Sequence, residues 1–169
     1  MEDSVDRHLA RWRGKAPYDE TVEAVVTRIQ NLTKHVANGK RRMHDEMGLA
    51  DYEFQTLHRL AARDDHRATP GELAAELMLS GAGMTGRLDA LERAGLVRRI
   101  RGTADRRRVD VELTDEGHAK WMAGMRFQDE VERGIVGALD PAEREQVNAL
   151  LKKMLLRAEG LSAGTGAAG

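Results

Sequence analysis

The 169-residue chain contains no cysteine. That excludes disulfides, thiolate redox sensing and any zinc site built on cysteine sulfur. Aromatic residues amount to only 4%, so the core has to be aliphatic, drawn from Leu, Ala, Met and Val. No apolar run approaches the roughly 20 residues that a membrane helix needs. The opening stretch MEDSVDRHLARW lacks the apolar centre of a signal peptide, and the expectation is a cytoplasmic protein. Net charge is also nearly absent, with 27 Lys+Arg against 28 Asp+Glu. There is no nucleophile elbow, no phosphate-binding glycine loop and no paired-carboxylate motif, which argues against an enzyme. No catalytic residue and no cofactor is assigned. A chain this long suits one domain, or one domain with appended helices.

Helical periodicity is plentiful. Val5, Leu9 and Trp12 form one short stripe, which Gly14 and Pro17 interrupt. From Thr21 to about Met47, a wide apolar face carries Val22, Val25, Val26, Ile29, Leu32 and Val36. A third helix spans Tyr52 to Ala62, followed by the charged loop RDDHR. Thr69, Pro70 and Glu72 then form a helix start: an N-cap, a proline at the first helical position and a capping-box acid. That helix is short and stops near Met78. Ser80 caps the next, which carries Met84, Leu88 and Leu91 inward and ends at Gly95, a residue suited to a left-handed C-terminal cap. Two helices so tightly joined predict a helix-turn-helix.

After Gly95 the apolar period changes from 3.6 to 2. Leu96-Val97 and the alternating Val109, Val111 and Leu113 predict a β-hairpin, with its turn at Gly102 to Asp105. Thr114 caps a further helix reaching about Leu139, which accounts for the acidic DEGH stretch at its start. Asp140-Pro141 starts a last helix bearing Val147, Leu150, Leu151, Met154 and Leu155. The tail from Gly160 offers little to bury, and disorder is expected there.

Charge is far from even within this plan. Between Arg87 and Arg108 lie eight arginines (87, 93, 98, 99, 101, 106, 107, 108), opposed only by Asp89, Glu92 and Asp105. Three acids cannot pair them all. A hairpin after a helix-turn-helix is a wing, and guanidinium groups suit phosphates and the electronegative minor groove. The pattern points to double-stranded DNA. The alternative is a solvated charged turn.

These residues also carry a resemblance. LADYEFQTLHRL…TPGELAAELMLSGAGMTGRLDALERAGLVRRIRGTADRRRVDVELTDEG, roughly residues 48–120, resembles the winged-helix core of the MarR family of bacterial transcription regulators. Its most specific parts are L-E-x-x-G-L-V-x-R at Leu91–Arg99 and D-R-R-x-x-x-V-x-L-T at Asp105–Thr114. The resemblance implies a ligand-responsive repressor that binds a palindromic operator as a homodimer, through terminal helices. The expected fold class is mainly α with a small β-hairpin wing. Its parts would be N-terminal helices over 1–47, a winged helix-turn-helix over 48–114, C-terminal dimerisation helices over 115–159 and a tail over 160–169. The apolar stripes at both ends independently call for a partner surface.

On the recognition helix, about Gly81 to Ala94, the outward residues are Ser80, Ala82, Gly83, Thr85, Gly86 and Asp89, small or hydrogen-bonding, which lets the helix approach base edges. Two glycines inside a helix each cost about 1 kcal/mol relative to alanine; close approach to DNA and local flexibility are both reasons for them. By resemblance, Arg107 enters the minor groove, and Asp105 orients it or braces the wing. Arg99, Arg101, Arg106 and Arg108 are phosphate-contact candidates.

Arg87 lies beside the buried face and needs an anionic partner. That partner is either an internal carboxylate (Asp51, Glu53 or Glu92) or an acidic small molecule. The helix bearing Trp12 resembles an addition found in the urate-responsive branch of the family. There, a tryptophan, an aspartate before the helix-turn-helix and an arginine on the recognition helix line the effector pocket. Trp12 and Arg87 match; Gln55 stands in the aspartate's place. The expected effector is therefore an acidic aromatic or purine-like ligand, with urate itself a poor one, bound by Trp12, Gln55 and Arg87. Simple core packing is the alternative for Trp12. A metal-responsive regulator is a second reading, on six histidines that include His44 beside Asp45 and Glu46, and His58 eight before His66. None repeats a spacing such as H-E-x-x-H, and no metal ligand is assigned. A winged-helix protein-interaction module without specific DNA binding is a third.

Overall fold

The structure is a computed structural model that describes residues 2–15, 17–101 and 109–165, with Arg101 and residues 162–165 described by backbone alone. The chain divides into two compact units, Met1–Asp129 and Glu130–Gly169.

In the first unit, α1 (Ser4–Trp12) starts at Asp3, whose carboxylate accepts from the amides of Val5 and Asp6. Val5 and Leu9 are buried while Trp12 stays 45% exposed. Arg28 of α2 (Glu20–Met47) ties the two helices together, donating to Asp3 at 2.9 Å and Asp6 at 2.5 Å. Asp19 caps α2, and Gly48, at a left-handed φ of 59°, ends it. Only Gly39 and Met43 of α2 are buried. Its expected apolar face is exposed within one chain at Val22, Val25, Val26 and Leu32.

The core begins with α3 (Asp51–Ala61), which buries Phe54, Leu57 and Leu60. It continues through β1 (Arg67–Ala68), α4 (Pro70–Glu76), α5 (Gly81–Arg93), β2 (Val97–Arg101) and β3 (Val109–Leu113). The strands form one antiparallel sheet in the order β1-β3-β2. The expected hairpin thus gains a third strand, β1, from what the sequence presents as a loop. Two residues carry no period, and this strand exists only because it pairs with the outer edge of β3. Leu73, Met84, Leu88, Leu91, Leu96 and Val111 meet between the helices and the sheet, all essentially inaccessible.

α6 (Asp115–Val136) follows, capped as expected: the Thr114 hydroxyl accepts from the Gly117 amide at 3.0 Å. Two glycines let it lie against the core. A Cβ at Gly117 would fall 2.0 Å from the Leu96 carbonyl oxygen, and one at Gly124 would fall 2.4 Å from the Phe54 ring. In the second unit, α7 (Pro141–Thr165) extends past Gly160, where a tail was expected to begin. A long helix propagates at one hydrogen bond per residue, so a single glycine does not stop it. Leu150, Leu151, Met154, Leu155 and Leu156 on α7 are each 42–60% exposed.

Candidate nucleic-acid interface

α4 and α5 are joined by a turn in which Met78 adopts φ 53° and is 93% exposed. The Leu79 amide returns to the Ala74 carbonyl at 2.8 Å, closing the end of α4. Ser80 then caps α5 by accepting from the Gly83 amide at 3.1 Å. Met84, Leu88 and Leu91 anchor the inner side of α5. Ser80, Ala82, Gly83, Thr85 and Gly86 all lie exposed, as the periodicity predicts. The two interior glycines differ. A Cβ at Gly83 would crowd the Ser80 hydroxyl at 3.3 Å, so that glycine serves the cap, whereas a Cβ at Gly86 would meet nothing within 4 Å. Among the described residues no contact requires Gly86.

The wing is held at its root by two ionic clamps. Glu112 on β3 sits in register between Arg67 of β1 and Arg98 of β2. It accepts from Arg67 at 2.6 Å and from Arg98, and is only 8% exposed. The Arg98 contact, then the Arg67 contact, holds its carboxyl below the usual carboxylate range. Strict alternation along VDVEL would turn Glu112 to solvent; the flanking guanidiniums bury it instead. The second clamp is Arg99, which donates to Asp89 at 2.6 Å and to Glu92. These contacts, Asp89 first, raise its already high pKa. Arg99, a phosphate candidate in the sequence, therefore braces β2 against α5 in the DNA-free chain. The side chain of Arg101 and all of Arg106, Arg107 and Arg108 fall outside the described residues, as does Asp105.

Arg87 points from α5 onto α3. It donates to the Tyr52 carbonyl at 3.0 Å and to the buried Thr56 hydroxyl at 3.4 Å. Its guanidinium lies 4.9 Å from the centroid of the Tyr52 ring, in cation–π range. Among the described residues no carboxylate lies within 4 Å of it, so Asp51, Glu53 and Glu92 are not its partners. Glu92 is held by Arg99, Glu53 caps its own helix at the Ala50 amide, and Asp51 binds His44 and Gln55. The sequence offered no sign that a carbonyl and a tyrosine ring would replace the carboxylate.

Gln55, on α3, donates to Asp51 at 2.5 Å. It lines a cleft of about 250 Å³ between α2, α3 and α6, with Lys40, Met43, Phe54, Arg59 and Met125 among its walls. Trp12 packs against His8, with ring centroids 6.5 Å apart. Within one chain Trp12, Gln55 and Arg87 thus keep separate neighbours, and the cleft containing Gln55 contains neither of the others. Among the described residues, no three His, Asp or Glu side chains are grouped to hold a metal ion.

Known proteins agree with this geometry. A profile of the MarR family matches residues 47–108. The chain is 30% identical over 149 residues to the HTH-type transcriptional regulator PecS of Dickeya dadantii, covering 86% of this chain and 89% of that one. It is 31% identical over 121 residues to the HTH-type transcriptional repressor YetL of Bacillus subtilis, covering 68% and 72% respectively. The crystal structure of the Staphylococcus aureus MepR–DNA complex matches with a TM-score of 0.65 at 28% identity, covering 78% of this chain and 96% of that one. The YusO protein of Bacillus subtilis shares the fold, with a TM-score of 0.74 at 20% identity, covering 83% and 99%. With a helix-turn-helix that presents small residues outward, a braced wing and relatives that regulate transcription, the chain belongs to the MarR family and is a DNA-binding transcriptional regulator, not an enzyme.

Proposed function

We propose that the protein is a repressor that binds a palindromic operator as a homodimer and is released by a small acidic aromatic or purine-like ligand. The observation that carries the dimer is the apolar surface left on the terminal helices. Val22, Val25 and Val26 on α2 and Leu150, Leu151 and Leu155 on α7 are 40–60% exposed, a pattern that marks an interaction face. In this reading 1–47 and 115–159 supply the dimer contacts and 48–114 the DNA-binding domain. Ser80, Ala82, Gly83, Thr85 and Gly86 face the major groove. Arg107 enters the minor groove, Arg101, Arg106 and Arg108 bind phosphates, and Arg99 joins them when DNA competes with its carboxylates.

For the effector, the cleft at Gln55 has an apolar floor of Met43, Phe54 and Met125 and two cations, Lys40 and Arg59. That composition suits a flat ring bearing a carboxylate. Arg87, with no carboxylate within 4 Å among the described residues, and Trp12, half-exposed, are assigned to the same ligand as a third cation and an aromatic wall. A ligand that lowers DNA affinity binds the DNA-bound form less tightly by the same factor. The test is binding to the promoter region beside the protein's own gene, repeated with a panel of aromatic acids, their uncharged amides and purines. Release by acids but not amides, diminished in Arg87→Ala, is the expected result. Release by neither class, or equal release of Arg87→Ala, removes the effector assignment.

A further inference from the structure

An imidazole and indole row joins three elements of the first unit. Trp121 on α6 donates its indole N–H to Nδ1 of His58 on α3 at 3.1 Å. His118, one turn earlier on α6, lies 5.4 Å from the Trp121 ring and 5.3 Å from the ring of His66, just before β1. Nδ1 of His66 is buried with no hydrogen-bond partner among the described residues. The His66 carbonyl accepts from the Leu113 amide at 3.0 Å, which ties the backbone that bears this ring to the end of β3.

We propose that this row is a proton-gated tie which holds α6 to α3 when its imidazoles are neutral and releases it in acid. An Nδ1 that accepts a hydrogen bond must carry a lone pair. Imidazolium carries N–H on both nitrogens, so protonating His58 sets two donors face to face at the Trp121 contact. Charging His66 buries an N–H donor without an acceptor. Charging both His66 and His118 sets like charges on adjacent rings. Imidazole is the side chain whose unperturbed titration falls between pH 5 and 8.

The surroundings offer little to stabilise the charged forms. Among the described residues, no carboxylate oxygen lies within 4 Å of His58, His66 or His118. Around His58, Lys40 of α2 and Arg59 of α3 are cationic, while Asp51 is engaged by His44 and Gln55. His66 is flanked by Asp65, which accepts from the Arg67 amide, and by Arg67, which is committed to Glu112. On α6, Asp115 and Lys120 bracket His118. His58 is itself solvent-exposed, so protons reach it without unfolding. The tie matters for DNA because α3 supports the recognition helix directly, through the contacts of Arg87 with Tyr52 and Thr56.

This inference rests on the DNA-binding reading only for its consequence, and its first readout needs no DNA. In the full-length protein carrying Trp12→Phe, the indole N–H resonance of Trp121 is followed by NMR from pH 8 to 5. A sigmoidal shift is expected, flattened in His58→Gln, whose amide oxygen accepts the same N–H without titrating. Binding to the promoter DNA is then measured over the same range. Added positive charge alone raises DNA affinity in acid. Opening the tie opposes this, and affinity is expected to fall by up to about tenfold per pH unit below the midpoint. His58→Gln, or Trp121→Phe should the first variant not fold, is expected to convert that fall into a rise. A resonance that does not titrate, or titrates unchanged in His58→Gln, overturns the tie. An acid-induced fall that persists in the folded variants overturns its link to DNA. Absence of DNA binding at every pH would instead strike the functional reading and leave the resonance to decide the tie.

Discussion

Gly86→Ala separates what the fold requires from what DNA requires. Residue 86 is in the interior of α5 and exposed, and among the described residues a Cβ there would meet nothing within 4 Å. Alanine therefore gains its full helix propensity, about 1 kcal/mol over glycine. For a protein of this size that corresponds to a rise in Tm of about 2–4 °C. If the same face enters the major groove, the new methyl group occupies space that base edges need. Overpacking a fitted surface costs about 1–3 kcal/mol, or roughly a five- to 150-fold loss of operator affinity. The two effects have opposite signs, so a general folding defect cannot imitate them. Gly83→Ala is the control: its Cβ would press on the capping Ser80 hydroxyl at 3.3 Å, and much of the propensity gain is lost. Thermal denaturation and fluorescence-anisotropy titration of one operator fragment read both quantities. A stabilised Gly86→Ala protein with unchanged affinity would show that this face of α5 does not meet the bases.

Three further outcomes are expected. Gly117→Ala puts a Cβ 2.0 Å from the Leu96 carbonyl oxygen, so backbone has to move. A loss of about 3 kcal/mol in denaturant unfolding is expected, whereas Gly134→Ala in the same helix, with open space around its Cβ, stabilises. Glu112 is held ionised by Arg98 and Arg67 to lower pH than in the unfolded chain. Its contribution is complete above the ordinary carboxylate range and is lost as pH falls through the depressed value. Glu112→Gln should flatten that part of the acid-unfolding curve, and an unchanged curve would show that the clamp adds nothing. Arg107→Ala should weaken operator binding without altering melting or dimerisation, and by more on flanks rich in A·T.

The elements of the first unit were largely legible because each is announced locally. The capping box at Thr69–Glu72, the Ser80 cap and Gly95 at a φ of 74° all stand where the sequence puts them. What was not legible depends on pairing between distant segments. β1 is only two residues long and owes its existence to β3. Glu112 looks like the exposed member of an alternating strand until Arg67, 45 positions earlier, closes over it. Arg99 reads as spare charge until Asp89 and Glu92 are seen facing it. The partners of Arg87 were equally hidden, since it satisfies itself on a carbonyl and a ring face, which leave no mark in composition or period. The His58–Trp121 contact, 63 positions apart, was invisible for the same reason.

In the proposed function two copies of the chain read one two-fold site. Footprinting on the promoter DNA, with the protein-to-DNA stoichiometry measured on the same fragment, tests it most directly. Two chains are expected to protect an imperfect palindrome whose half-sites are about one helical turn, roughly 10 bp, apart. A single chain protecting one unpaired half-site would contradict it.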